Sequence, residues 1–417
     1  MSTDSKHYSD LTVYGILGVN GNFTFPTTDG AGGQVLQTDG GGTVTWEDGA
    51  SGGTSIVISG AGAGSTMRDN LYNTASGRYS SVLGSGNTAT GTYSSVLGGC
   101  GNTISGASVE GAIIGGGFNN VSTSIVTFIG GGASNNTCGT FSSVLGGSGN
   151  TSSDNYATIG GGRGNTASGQ YATIGGGYNN GVSGFSATIG GGSNNSVTGT
   201  STTIGGGASN TASCLWATIG GGSGNIASGQ YSFVGGGSGN IASSVMTTVG
   251  GGSGNIASGQ TATIGGGYGN VASYCATVGG GYYNTASGQT ATIGGGVGNI
   301  ASYCATVGGG SSNIASGQNS FVGGGKGNTS SGNYATIGGG SGNTASGHYS
   351  TILGGVSNNG SGFTCSMIVG SDITANRACT TFVNQLSITQ LPNGSGGLPS
   401  GALYYCSTSG NTVFFVP

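Results

Sequence analysis

Apolar residues return along most of the chain at a nearly fixed interval, each followed by a run of glycines, as in "YATIGGGSGNTASGHYSTILGG" (residues 334–355). Twenty such positions are spaced 14 to 17 residues apart, most often 15. They are Leu83, Leu97, Ile114, Ile129, Leu145, Ile159, Ile174, Ile189, Ile204, Ile219, Val234, Val249, Ile264, Val278, Ile293, Val307, Val322, Ile337, Leu353 and Val369. Self-similarity at a fixed period predicts stacked repeat units rather than separate globular domains.

Alternation within one unit predicts two short strands. In "YATIG", Ala172 and Ile174 point to one side and Tyr171 and Thr173 to the other, because successive strand side chains alternate. The glycine triplet turns the chain, since glycine adopts positive φ at no steric cost, and "GNTASG" provides the second strand. The predicted fold is all-β: a parallel β-solenoid of about twenty coils of 14–17 residues.

Two slots expected to point outward are apolar in many coils. The slot of Thr173 instead holds Val82, Val96, Ile113, Phe128, Val144, Phe233, Phe321, Ile352 and Ile368. The slot after the recurrent asparagine holds Thr166 in one coil, and in others Ile226, Ile241, Ile256, Val271, Ile300 and Ile314. Strands that are apolar on both faces are typically buried on both faces. We therefore predict that this second face contacts another copy of the chain.

The two ends of the chain depart from the repeat. Residues 1–67 are predicted to be a β-rich attachment region, residues 68–370 the solenoid rod, and residues 371–417 a β-rich capping or trimerisation region. Hairpins are predicted from "GGQVLQTDGGGTVTWED" near the start and "GALYYCSTSGNTVFFVP" at the end. Solenoid ends need such caps because an open rung would pair with other chains.

Composition narrows the function classes. Of 417 residues, 101 are glycine, and 4% are charged, against about 25% in an average globular domain. The repeats contain four scattered basic residues, Arg68, Arg78, Arg163 and Lys326, too few to follow a phosphate backbone. Nucleic acid is therefore not an expected partner. No run of 18 apolar residues predicts a membrane-spanning helix, and "MSTDSKHYSD" does not resemble a secretory signal.

Candidate catalytic and metal-binding chemistry is sparse. The chain has only two histidines, His7 and His348, so a Ser-His-Asp triad or a histidine metal site is not expected. "GGSGN" resembles part of a calcium-binding nonapeptide, but such sites need a carboxylate in each turn. "GGGKGNTSS" imitates a phosphate-binding loop, yet Gly327 follows Lys326 where serine or threonine is required. We predict no enzyme activity and no catalytic, cofactor or metal residue.

Three recurrent polar or aromatic slots allow competing interpretations. The asparagines Asn150, Asn165, Asn180, Asn195, Asn210 and Asn225, and onward to Asn343, are predicted to be structural, adopting a left-handed conformation and stacking as an amide ladder. The threonines Thr158, Thr173, Thr188, Thr203 and Thr218 could form an ice-binding face, although Phe233 and Phe321 interrupt it. The aromatics Tyr156, Tyr171, Trp216, Tyr231, Tyr334 and Tyr349 could stack on sugars or simply pack, so no receptor-binding residue is assigned.

The eight cysteines do not predict a disulfide framework. Cys275 and Cys304 share a slot but lie two coils apart, roughly 9–10 Å at one rung per coil, beyond the disulfide limit of about 7 Å. Four others fall in different slots or distant coils, namely Cys100, Cys138, Cys214 and Cys365. Reduced thiols from assembly in a cytosol are expected.

The unit "YATIGGGSGNTASG" resembles the head repeats of trimeric autotransporter adhesins, which are left-handed parallel β-rolls joined three-fold. The whole chain more closely resembles fibre proteins of bacteriophages and large algal or protist viruses. The similarity rests on "GGQVLQTDGGGTVTW" near the start and on "TTFVNQLSI" and "LPSGALYY" near the end. The membrane anchor, coiled-coil stalk and signal peptide of the adhesins are not apparent, which favours the viral group.

This resemblance implies a homotrimeric structural fibre on a virion surface, assembled in the host cytoplasm. Such a fibre attaches to the particle by one end and presents a contact surface for a host receptor such as a glycan. The alternative is a purely structural subunit of an extracellular or cell-surface filament, and an ice-binding solenoid is a minor alternative. The receptor, the host and the attached end are not predicted.

Overall fold

A computed structural model describes residues 57–68, 72–106 and 108–385, together with the backbone of six short strands outside these ranges. All regular structure in the described residues is β-strand. The chain divides into two compact units, Met1–Gly181 and Val182–Pro417. Together they contain about 21 turns of a parallel β-solenoid. The all-β solenoid predicted from the repeat is confirmed.

Each turn contributes one strand to each of two sheets. In the first unit, sheet 1 contains Ile58–Ser59, Thr66–Met67, Ser81–Val82, Ser95–Val96, Ile113–Ile114, Phe128–Ile129, Ser143–Val144, Thr158–Ile159 and Thr173–Ile174. Sheet 2 contains Thr74–Ala75, Thr88–Ala89, Thr103–Ile104, Val121–Ser122, Asn136–Thr137, Thr151–Ser152 and Thr166–Ala167, and the strand Gly181–Val182 lies at the unit boundary.

The second unit repeats this arrangement. Its sheet 1 contains Thr188–Ile189, Thr203–Ile204, Thr218–Ile219, Phe233–Val234, Thr248–Val249, Thr263–Ile264, Thr277–Val278, Thr292–Ile293, Thr306–Val307, Phe321–Val322, Thr336–Ile337, Thr351–Ile352, Met367–Val369 and Thr381–Val383. Its sheet 2 contains Ser196–Val197, Thr211–Ala212, Ile226–Ala227, Ile241–Ala242, Ile256–Ala257, Val271–Ala272, Thr285–Ala286, Ile300–Ala301, Ile314–Ala315, Thr329–Ser330 and Thr344–Ala345.

The core is a narrow column of small and β-branched side chains between the two sheets. Within one coil, Ala167 of sheet 2 and Ala172 and Ile174 of sheet 1 are fully buried, whereas Thr166 and Thr173 face outward. Neighbouring coils pair in parallel without a register shift, so equivalent residues lie directly above one another. Identical side chains therefore stack along each sheet, about 4.8 Å apart.

Five of the predicted apolar markers lie one residue beyond the true core position. The markers Leu83, Leu97, Leu145, Leu353 and Val369 are partly or largely exposed, and the residues before them are buried: Val82, Val96, Val144, Ile352 and Ile368. In "SSVLGG", the first serine of the pair takes the inward alanine slot, as Ser142 does, so alternation turns the valine inward. The true core spacing consequently reaches 18 residues, from Val96 to Ile114.

Each coil turns at residues with positive φ. The third glycine of the triplet is one such residue, with φ of 86° at Gly162. A Cβ added there would overlap the carbonyl oxygen of Gly177 in the next coil, so both the backbone angle and the close stacking require glycine. The opposite corner also uses a positive φ, at Tyr171 (60°), although a bulky residue rarely adopts this conformation.

The ends of the repeat partly match the sequence prediction. Gln34–Thr38 pairs antiparallel with Val44–Asp48, and Leu403–Cys406 with Thr412–Phe415, which confirms the two predicted hairpin pairings. Parallel stacking continues beyond the predicted boundary at residue 370, because Thr381–Val383 adds a further rung to Met367–Val369. The attachment and capping roles of the regions 1–67 and 371–417 remain predictions. The strands Gly18–Val19 and Phe23–Thr24 also pair antiparallel.

Candidate functional site: the outer surface of the coils

The recurrent asparagine is an internal structural element. In the second unit, the Asn255 side-chain Nδ2 donates to the carbonyl oxygens of Gly251 (3.0 Å) and Gly267 (2.9 Å) and to Oδ1 of Asn240 (3.1 Å). The next asparagine repeats the pattern, and these side chains are fully buried. The predicted amide ladder is confirmed. The predicted left-handed conformation is wrong, because the positive φ lies one residue earlier, at Gly254.

The outer face of sheet 1 carries fewer apolar residues than predicted. Five apolar residues assigned to it point into the core instead: Val82, Val96, Val144, Ile352 and Ile368. Its remaining apolar members are few. Ile113 and Phe128 are adjacent on neighbouring rungs, whereas Phe233 and Phe321, 41% and 40% exposed, lie beside Thr218 and Thr306. This face therefore presents mainly one column of hydroxyls, interrupted at a few rungs by an apolar side chain.

The outer face of sheet 2 carries a more continuous apolar ladder. We define the aliphatic ladder as six outward β-branched residues on seven consecutive coils of the second unit: Ile226, Ile241, Ile256, Val271, Ile300 and Ile314. Thr285 occupies the remaining coil. Ile226, Ile256 and Ile300 are 36–38% exposed. The two slots combined in the sequence analysis thus belong to two different faces.

The predicted aromatic residues lie at the corner that links the sheet 2 strand to the sheet 1 strand. We call it the left-handed corner because its aromatic residue, such as Tyr171, has a positive φ. They are exposed, and those on neighbouring coils stack with their rings nearly parallel. The Tyr334 and Tyr349 centroids are 5.0 Å apart at 3°, and Trp216 and Tyr231 are 4.8 Å apart at 23°. Stacking covers one face of each ring, and the other face stays exposed, as at Tyr349, which is 58% exposed. Ring packing accounts for the covered faces, and no receptor-binding residue is assigned among these pairs.

Seven cysteines of the described residues are free thiols, in agreement with the predicted lack of a disulfide framework. One placement differs from the sequence interpretation. Cys365 lies on the coil next to Cys379, at the same corner, and the two thiols are close enough to interact. Burial raises the pKa of Cys365, and the Cys379 thiol raises it further. The irregular coil between them hides this proximity in the sequence.

Charged and metal-binding groups are sparse on these faces. Among the described residues, no three side chains of histidine, cysteine, aspartate or glutamate come together as a possible metal site. A search of the same residues finds no helix long and apolar enough to cross a membrane. The outer surface is thus characterised by hydroxyl, amide, aliphatic and aromatic groups.

Comparison with known proteins adds no family to this description. No protein-family model matches the chain, and no curated protein sequence matches it. The resemblance to viral fibres and adhesin heads therefore stays a prediction from the sequence.

Proposed function

We propose that the chain is the subunit of a homotrimeric structural fibre that holds a host-contact surface away from a virion. The observation that carries this proposal is the aliphatic ladder on sheet 2. Six outward isoleucine and valine side chains on seven consecutive rungs form an apolar strip roughly 29 Å long, interrupted only at Thr285. An extended exposed apolar patch on a soluble protein commonly marks a contact site. A second copy with the same flat, regular ladder is a complementary partner for it.

The fold also suits a mechanical role. Each coil is linked to its neighbours by two parallel sheets, by the amide ladder and by a further column of isolated parallel bridges, the bridge column, which includes Val297, Ser311, Ser341 and Val356. Such a unit transmits load along the stack without a globular hinge. The sequence segments near the two ends that resemble viral fibre proteins also support this proposal. By that resemblance, one of the two ends attaches to the particle.

The trimer can be tested by native mass spectrometry of the full chain. The variant carries Ile241→Thr and Ile256→Thr, because threonine already occupies this slot at Thr211 and Thr285 and preserves the strand. We expect the wild-type chain to have the mass of three copies and the variant to dissociate at higher protein concentrations.

A matched control removes exposed apolar groups from another face. Val297 and Val356 are 50% and 49% exposed in the bridge column, where other coils have Ser311 and Ser341. The double variant Val297→Ser and Val356→Ser should leave the trimer intact. A wild-type chain that is monomeric at micromolar concentration would overturn the trimer, and equal effects of the two double variants would overturn the assigned face.

The filament alternative uses the same faces differently. An open-ended polymer needs a head-to-tail contact that repeats without closing, whereas a trimeric fibre has a fixed length. Negative-stain images of the purified chain distinguish the two. Discrete rods of uniform length support the fibre, and rods with a broad, concentration-dependent length distribution support the filament.

A further inference from the structure

Two coils of the second unit have a shortened left-handed corner. In most coils five residues link the sheet 2 strand to the sheet 1 strand, as in residues 258–262 and 287–291. In two coils, four residues make the same link, residues 273–276 and 302–305. Both short corners read "SYCA", and they alternate with long corners that read "SGQ". Along this stretch, every second coil therefore has a corner one residue shorter than the corners of its two neighbours.

Each short corner leaves a recess between the long corners above and below it. One recess, of about 470 Å³, lies over Tyr274 and Cys275 and is bounded by Gln260 and Gln289. The other, of about 550 Å³, lies over Tyr303 and is bounded by Gln289 together with the next long corner. Because Gln289 borders both recesses, they form one continuous groove along the edge of the second unit.

The backbone fixes the shape of the recesses. A Cβ added at Gly259 would overlap the backbone of Tyr274, and one at Gly288 would overlap that of Tyr303. The long corners can therefore approach the short ones only because they carry glycine at this point. The backbone N–H of Thr290 donates to the carbonyl oxygen of Tyr303 at 3.3 Å. The groove is thus built by main-chain packing rather than by mobile side chains.

The two tyrosines of the groove differ from the other corner aromatics. Tyr274 and Tyr303 are each 63% exposed, and neither ring stacks on another ring of the described residues. A coil with a different corner residue separates them, so no neighbouring ring covers either face of Tyr274 or Tyr303, whereas stacking covers one face each of Tyr334 and Tyr349. Open tyrosine faces are suited to the C–H faces of sugar rings, and the phenol oxygens can hydrogen-bond.

The remaining groups around the groove are uncharged hydrogen-bonding groups. Serine hydroxyls and glutamine amides border both recesses, one cysteine lines each of them (Cys275 or Cys304), and no Asp, Glu, Lys, Arg or His side chain lines either one. A glutamine amide both donates and accepts hydrogen bonds, which matches a hydroxyl-rich ligand. A phosphorylated or otherwise strongly charged ligand would lack a counter-charge here. These groups favour a neutral polyhydroxylated ligand.

We propose that this groove binds an extended neutral glycan, with one sugar face against each tyrosine. The two tyrosines are two rungs apart, about 9.6 Å along the stack, so the ligand must be a chain that reaches both recesses rather than a single sugar. This inference rests on the proposed function, since it supplies the chemistry of the fibre's host-contact surface.

The test uses the full chain and an array of neutral β-linked hexose oligosaccharides of two to six rings, with uronate oligosaccharides of equal length as the charged comparison. Binding should favour the neutral oligosaccharides and strengthen until the oligosaccharide is long enough to span both recesses.

Tyr274→Ala and Tyr303→Ala should each weaken binding about tenfold, and Gln289→Ala should weaken it because both recesses lose a border. Tyr349→Ala, which removes a stacked ring from the same type of corner, is the control and should leave binding unchanged.

A second variant separates recess shape from the tyrosine ring. Insertion of one glycine between Ser302 and Tyr303 restores the five-residue corner and keeps the ring. This variant should no longer bind longer oligosaccharides more tightly than shorter ones. Native mass spectra of the same samples separate the two hypotheses. A trimer that binds no neutral oligosaccharide, or that binds equally well after both tyrosine substitutions, overturns the glycan site alone. A monomeric wild-type chain overturns the proposed fibre instead.

Discussion

Replacing Asn255 by alanine would remove one rung of the buried amide ladder. The Asn255 Oδ1 accepts hydrogen bonds from the backbone N–H of Asn270 (3.0 Å) and from its side-chain Nδ2 (3.1 Å). Its own Nδ2 donates to the carbonyl oxygens of Gly251 and Gly267. The Gly267 oxygen retains a second donor, the N–H of Ser253. The alanine variant therefore orphans chiefly the Asn270 N–H and the Gly251 oxygen.

The size of the effect follows from these two groups. A buried donor or acceptor left without a partner costs about 1–3 kcal/mol. Two such groups lower the free energy of local unfolding of the coil by about 2–6 kcal/mol. The cavity left by the side chain adds to this loss. Because each coil contacts mainly its neighbours, the loss should be concentrated in the coils adjacent to Asn255.

Hydrogen exchange measured by mass spectrometry resolves this pattern. Peptides that contain Asn270 should exchange faster in Asn255→Ala by a factor of about thirty or more, while coils far along the unit keep their protection. The matched control is Gln260→Ala, which deletes an amide from an exposed corner of the same coil and should change protection little. Equal protection of the Asn270 peptides in both variants would refute a stabilising role for the ladder.

Three further outcomes are expected. Gly252→Ala should destabilise the coil strongly because φ is +88° and a Cβ would overlap the Gly267 oxygen, whereas Gly251→Ala has open space and should be mild; a small difference in thermal unfolding midpoint would contradict this. Cys379→Ala should lower the pKa of Cys365, because the interaction with the Cys379 thiol that raises it is lost, so alkylation of Cys365 should begin at lower pH; an unchanged profile would be inconsistent with interacting thiols. Thermal hysteresis should be absent, since single phenylalanines interrupt the threonine column; measurable activity would favour the ice-binding alternative.

The period and the alternation of residues were enough to predict the solenoid. Buried Ala172 and Ile174 and outward Thr173 follow directly from strand geometry, because each face of a two-residue strand has one occupant. The same logic failed where two apolar residues are adjacent, as at Val144 and Leu145. Either register fits the local pattern there, and only pairing with the neighbouring coils decides that Val144 faces inward.

The candidate groove was not accessible to sequence reasoning. In the sequence the "SYC" segments draw attention only by their cysteines, because a one-residue deletion has no evident consequence until the corner is placed in three dimensions. The recess arises from the difference in length between stacked corners, which no single repeat contains. Likewise, the outward slots of Thr166 and Thr173 could not be assigned to separate faces before the path of the coil was known.

The central claim is that sister chains cover the outer face of sheet 2, and hydroxyl-radical footprinting of the native assembly tests it most directly. If sister chains cover this face, Ile226, Ile256 and Ile300 are labelled far more slowly in the assembly than in dissociated chains, while Tyr274 and Tyr303 are labelled at the same rate in both. Equal labelling of the three isoleucines in both states would contradict it.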